Sequence, residues 1–192
     1  MLETGRLARR AAVLPAASVT RGAVVIRPLG AQSRFSLRTR PATAEALGTV
    51  AGFTLALPIN RMSTAGERTS LRLGPDEWLL IGPEAETDEL AEAVSAEFGE
   101  RVFSLVDVSH RNVGIEITGR NAAHVLNAGC PLDLAEAAFP VGMATRTVLG
   151  KAEIVLARTG VDAWRVECWR SFATYVHGFL AEGALDFVAV TG

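Results

Sequence analysis

One feature limits the folds open to this 192-residue chain more than any other: the same order of strand and helix patterns runs through it twice. FSLRT (residues 35–39) alternates and predicts a strand. PATAEALGTVAG follows, with Pro41 in its first turn and Gly52 past its end, which predicts a short helix. Beyond a loop through Pro58 and Gly66, RTSLRL and WLLIG flank Gly74, Pro75 and Asp76 and predict a hairpin. Leu90, Val94 and Phe98 make one stripe of a helix over 87–98, and RVFSLVDV then gives a strand. The second half offers GIEIT as strand, GRNAAHVLNAG as helix and a loop from Cys130 to Pro140. Strands TRTVLG, AEIVLART and DAWRVECW, the helix SFATYVHGFLAEGA and a closing strand DFVAV complete it. The expected class is α+β, with two β-α-β-β-α-β (ferredoxin-like) repeats over 34–108 and 109–192 that share element order and not residue identity. Each repeat has one layer of helices, so the two sheets must join or pack face to face.

Residues 1–33 fall outside this pattern. Apart from a β-branched run at 24–26 before Pro28, which could add a strand, they are mixed in polarity and predict mostly an extended arm; deleting residues 1–27 should leave the body folded. Residues 1–27 hold five Arg and one acid, against 14 basic and 20 acidic side chains in 28–192. A basic arm ahead of an acidic body invites docking onto something acidic. The overall charge of −2 excludes the concentrated cationic face that nucleic acid or an anionic membrane requires. At 49% hydrophobic and 21% charged the composition is that of a globular chain. Its apolar runs stop well short of the ~18 residues of a membrane span. Cys130 and Cys168 are too few for a disulfide framework and no secretory apolar segment precedes them, so the cytoplasm is the expected compartment. The Arg-rich start is also compatible with an organellar transit segment.

The residues that suggest chemistry do not converge on a mechanism. DVSH sets Asp107, Ser109 and His110 within four positions. On a strand the first two point one way and His110 the other, whereas a nucleophilic triad holds its imidazole between its partners. A strand-end turn capped by Asp107 or Ser109 is the better reading, with a ligand or interface contact as the alternative. His110, His124 and His177 are far apart, and the cysteines have no paired spacing, so no metal site is expected. Gly119 and Gly129 bracket a helix without the spacing of a dinucleotide or phosphate loop. Trp78, Trp164 and Trp169, with Phe172, Tyr175, Val176 and Phe179, predict core or subunit contacts. Arg170 stands at a strand-helix joint with Ser171 as candidate N-cap, and a pairing of Arg170 with Asp133 would fix the CPLDL loop that starts at Cys130. With no acid-base pair, activated nucleophile or cofactor cradle, binding or assembly becomes the leading class.

Four segments carry a resemblance: LRLGPDEWLLIGP (71–83), LVDVSHRNVGIEITGRNAAHVLNAGCPLDL (105–134), FPVGMATRTVLGKAEIVLAR (139–158) and WRSFATYVHGFL (169–180). Together they strongly resemble the gamma-subunit family of bacterial heterotetrameric sarcosine oxidase, over about residues 30–185. DVSH alone also resembles the wider aminomethyltransferase (glycine-cleavage T-protein) fold; GCPLDL followed by RSFA narrows it. The resemblance implies a T-protein N-terminal-like, folate-binding-domain-like fold assembled with alpha, beta and delta subunits. It further implies a complex that oxidatively demethylates sarcosine to glycine with oxygen, yielding hydrogen peroxide and either formaldehyde or 5,10-methylenetetrahydrofolate. FAD, FMN and NAD are expected on the larger subunits and zinc on delta, with tetrahydrofolate as one-carbon acceptor. This chain is expected to hold no catalytic, cofactor-binding or metal-ligating residue. In folate-using relatives a hairpin resembling GGVIDDLIVY supplies an acidic pair. Matching IVL (154–156) to it places that pair on Lys151 and Ala152, and Glu153, one residue along, faces the other way. The alternative, a free-standing folate-binding or folate-dependent aminomethyltransferase, is weakened by this departure.

Overall fold

The computed structural model describes residues 13–187, which fall into two compact units. Strands are β1 (Val19–Arg21), β2 (Val24–Pro28), β3 (Gln32–Thr39), β4 (Thr49–Val50), β5 (Phe53–Thr54), β6 (Arg61–Ala65), β7 (Arg68–Arg72), β8 (Glu77–Pro83), β9 (Phe103–Asp107), β10 (Asn112–Thr118), β11 (Ala144–Leu149), β12 (Ala152–Gly160) and β13 (Ala163–Trp169). Helices are α1 (Pro41–Leu47), α2 (Thr87–Phe98), α3 (Ala122–Asn127) and α4 (Ala173–Gly183).

One unit comprises Gln32–Ser109 with Gly142–Thr145. Its sheet runs β6-β7-β8-β3-β9, with β3 antiparallel to both neighbours. Pairing sets Leu37 opposite both Leu105 and Trp78, and Trp78 opposite Arg72, so Leu105, Leu37, Trp78 and Arg72 form one row across four strands. The α2 stripe Leu90, Val94 and Phe98 closes over Phe35, Leu37, Trp78 and Leu80 as a single core, and Phe98 stacks on Phe103 with ring centroids 4.4 Å apart. Two expectations need correction. The first helix stops at Leu47, where Gly48 takes a positive φ of 68° and donates its N–H to Ala44 O; Thr49 and Val50 are β-branched and continue as β4, turning into β5. The predicted loop after Pro58 also contains β6, an edge strand whose sequence RMSTA carries no apolar alternation to reveal it.

The other unit comprises the described residues up to Ala31, His110–Val141 and those from Arg146 onward. Its sheet runs β1-β2-β10-β13-β12-β11. Of the two expectations for residues 19–28, the strand holds and the extended arm does not: β2 lies antiparallel on β10 and buries Val24 and Ile26 completely. Arg27 meets Glu116 at 2.8 Å, and Leu29 donates its N–H to Gly114 O at 2.9 Å. Residues 1–12 of the arm lie outside the described residues. Ile26, Ile117, Trp164 and Arg158 again form one row across four strands. Buried Ala122, Val125 and Leu126 of α3 and Ala173, Val176 and Leu180 of α4 supply the helical layer. Of the predicted closing strand, Asp186 and Phe187 instead sit in a 3₁₀ turn, Ala184–Phe187; the rest lies outside the described residues. β2 occupies beside β10 the place that β9 occupies beside β3.

Candidate interaction surface

The DVSH segment is a turn whose polar groups are engaged by backbone. Asp107, exposed at the end of β9, accepts the N–H of Ser109 on Oδ1 at 2.8 Å. Ser109 Oγ accepts the N–H of Arg34 at 2.8 Å, and Arg34 O accepts the N–H of Val108 at 2.8 Å. His110 lies exposed within the turn. With carboxylate and hydroxyl both holding amides, nothing here activates a nucleophile.

Three of the distinctive sequence strings converge within the second unit. Gly129, at the end of GRNAAHVLNAG, accepts the N–H of Gly150 at 2.9 Å, and Lys151 donates its N–H to Tyr175 Oη at 3.2 Å. A Cβ on Gly129 would stand 2.6 Å from Phe179 Cζ, and one on Gly150 would stand 2.3 Å from Tyr175 Oη. Both glycines are thus needed for α4 to seat its rings on the β11–β12 turn. Cys130 is buried with Sγ 3.7 Å from Thr147 Oγ1. The CPLDL loop is tied down by Asn127, which donates to Cys130 O at 3.2 Å and to Leu132 O at 2.6 Å. Asp133 is exposed and accepts the N–H of Ala135 at 2.9 Å. Asn127 was missed by sequence reading, although an Asn in the last turn of a helix is placed to reach forward carbonyls. Ser171 does not cap α4: the helix is approached through the 3₁₀ turn Arg170–Phe172 and has no side-chain cap.

That approach produces the most exposed aromatic surface of the unit. Trp169, Phe172 and Tyr175 are 43%, 37% and 38% exposed. They are three residues apart across a 3₁₀ turn running into an α-helix, so they share a face. Arg111 lies over the Trp169 ring, 5.7 Å from its centroid, with Nε on Asn112 Oδ1 at 3.2 Å, while the backbone N–H of Arg170 donates to Arg111 O at 2.6 Å. Among the described residues neither Arg111 nor Lys151 makes an ion pair. Trp78 and Trp164, in contrast, are core residues.

The two core tryptophans disclose a repeat that element order alone did not. Arg72-Leu-Gly-Pro-Asp-Glu-Trp78 and Arg158-Thr-Gly-Val-Asp-Ala-Trp164 share Arg, Gly, Asp and Trp at identical spacing. Each guanidinium lies over its tryptophan, at 4.9 Å and 5.0 Å. Arg72 donates to Leu57 O and to Pro75 O at 3.0 Å; Arg158 donates to Phe139 O at 2.9 Å and to Val161 O at 2.6 Å. In both copies the first of those carbonyls precedes a proline, Pro58 or Pro140. Among the described residues no cluster of three or more His, Cys, Asp or Glu stands ready for a metal, and no helix is long and apolar enough to cross a membrane. Burial lowers the pKa of His177 from its usual 6.5, and its Nε2 is buried without a hydrogen-bond partner.

These features define an α+β protein of the aminomethyltransferase fold. Aminomethyltransferase T of the glycine cleavage system from Bartonella henselae superposes with a TM-score of 0.61 at 13% identity, over 84% of this chain and 46% of that one. Within that fold the chain belongs to the sarcosine oxidase gamma subunit family, whose model matches residues 38–186. It is 33% identical to the sarcosine oxidase gamma subunit of an Arthrobacter species, over 90% of this chain and 85% of the relative. The gamma subunit from Corynebacterium sp. strain P-1 is 32% identical over 88% of this chain and 84% of its own. A chain of the heterotetrameric sarcosine oxidase from Corynebacterium sp. U-96, solved with pyrrole 2-carboxylate, superposes with a TM-score of 0.81 at 27% identity, covering 92% of this chain and 91% of that one.

Proposed function

We propose that this chain is the non-catalytic gamma subunit of a heterotetrameric sarcosine oxidase and supports its assembly with alpha, beta and delta subunits. The complex would demethylate sarcosine oxidatively to glycine, releasing hydrogen peroxide and formaldehyde or passing the carbon to tetrahydrofolate. FAD, FMN and NAD would reside on the larger subunits and zinc on delta, and the complex would work in the cytoplasm. The observation that carries this reading is the match to gamma subunits along nearly the whole chain, with a chain of a solved heterotetramer superposing at a TM-score of 0.81. The engagement of Asp107 and Ser109 by backbone amides supports the non-catalytic part. We further infer that the body consists of two ferredoxin-like repeats, on the basis of the matching strand orders and the duplicated Arg–Trp motif.

A free-standing folate enzyme finds little support at the β11–β12 hairpin. Lys151 lies on its turn, Ala152 is buried, and Glu153 is exposed and paired with Arg146 at 3.2 Å. Co-expression with a tagged companion subunit tests the reading. This chain should elute within a large flavin-containing assembly, and omitting it should lower the yield of that assembly before it alters turnover per flavin. A chain that runs only as a 20.3 kDa monomer overturns the proposal. Micromolar binding of reduced folate by the isolated chain, read by calorimetry, would favour the folate enzyme instead.

A further inference from the structure

Resting on that reading, we propose that Trp169, Phe172 and Tyr175, with Arg111 and Lys151 beside them, dock an acidic, apolar-bearing surface of a companion subunit. Two observations carry this. The aromatic side chains are exposed along one face although the unit has a complete core without them. Two of the three are set in advance, Tyr175 by its bond to the Lys151 N–H and by contact with the Phe179 ring at 6.1 Å, and Trp169 by the Arg111 guanidinium over its ring. Little side-chain freedom is therefore left to lose on association, and Trp, Tyr and Arg are the residues that dominate interface energetics.

Charge identifies the kind of partner. Elsewhere Arg27, Arg38, Arg68, Arg72, Arg146 and Arg165 each face a carboxylate of this chain, whereas Arg40, Arg61, Arg101 and Arg120 do not among the described residues. Arg111 and Lys151 face none among the described residues, and Lys151 is the single lysine in the sequence. Two open cations flanking three exposed rings complement carboxylates set among apolar side chains. They are too few for the counterion-releasing grip on a polyanion.

The test titrates the full-length chain against the immobilised assembly of its companion subunits, at low and high salt. Phe172→Ser and the double charge reversal Arg111→Glu with Lys151→Glu should each weaken association tenfold or more. The double variant should also lose the salt sensitivity of the parent. Val102→Ser, at a side chain 71% exposed on the other unit, should bind as the parent does. Circular dichroism and melting temperature establish that each variant is folded, and all the altered side chains are exposed. Parental affinity in every patch variant, with the parent binding normally, overturns this proposal alone. Failure of the parent to bind overturns the assembly reading and this proposal with it. Light scattering that finds a homodimer dissociated by the same variants also overturns it, assigning the face to a second copy of the chain.

Discussion

Gly150, in the β11–β12 turn, and Gly178, inside α4, should respond oppositely to the same substitution. Gly150 takes a φ of +58°, and an added Cβ would stand 2.3 Å from Tyr175 Oη. Gly150→Ala combines a left-handed alanine with a clash, for a loss of about 2–4 kcal/mol. In a chain of this size that lowers the melting temperature by roughly 4–15 °C. Gly178 sits inside α4 with nothing within 4 Å of its added Cβ, so Gly178→Ala should stabilise by about 0.5–1 kcal/mol. Calorimetry of the two variants reads both signs at once; equal shifts would mean that the turn is not seated under Tyr175. His177 adds a pH dependence. Burial depresses its folded-state pKa below the unfolded 6.5, so between those two values the unfolded chain binds more protons. Stability should fall as pH drops through 6.5 toward the folded pKa. Urea midpoints at stepped pH should show that slope in the parent and a shallower one in His177→Gln.

At the scale of elements, the duplicated Arg–Trp motif ties a hairpin turn to a distant loop by bonds from a side chain to backbone carbonyls. Arg158 reaches the carbonyls of Phe139, Gly160 and Val161, and Arg158→Met leaves them without that donor, a cost of about 2–4 kcal/mol. Arg158→Lys should recover less than half, because an ammonium cannot span the loop and the turn as a planar fork does. Denaturant midpoints of the two variants decide this, and full recovery in Lys would reduce the contact to simple charge. This device also marks the limit of what was legible. The β7–β8 hairpin and α2 were readable because apolar periodicity and turn residues agreed there, and β10, β12 and β13 stood out as apolar runs. β6 and the β4–β5 hairpin lacked that periodicity and were hidden. The motif itself was in plain view as Arg-x-Gly-x-Asp-x-Trp, but only the pairing register showed that its Arg and Trp are cross-strand neighbours. In the candidate surface, Trp169, Phe172 and Tyr175 have helical spacing that a core stripe would share, so their exposure had no sequence signature.

At the scale of the molecule, sequence continuity and fold diverge at the N-terminus. The chain's first two described strands complete the sheet whose other four lie beyond residue 110, so a boundary drawn at residue 33 cuts through a folded unit. The charge split loses its simple meaning too, since Arg27 is paired with Glu116 on β10. Removing residues 1–33 would strip β2 from β10 and expose Ile117, which pairs with Ile26. Val24 and Ile26 are both 0% exposed, and full burial of such a side chain contributes about 1.5–3 kcal/mol. Their combined ~3–6 kcal/mol is comparable with the whole stability of a typical domain, about 5–15 kcal/mol, before any lost backbone bonds are counted. A chain starting at Arg34 should therefore aggregate or show a collapsed melting transition when followed by far-ultraviolet circular dichroism. If the Arg34 start folds with parental stability, β1 and β2 are dispensable, and the N-terminus is after all the detachable arm that its composition suggested.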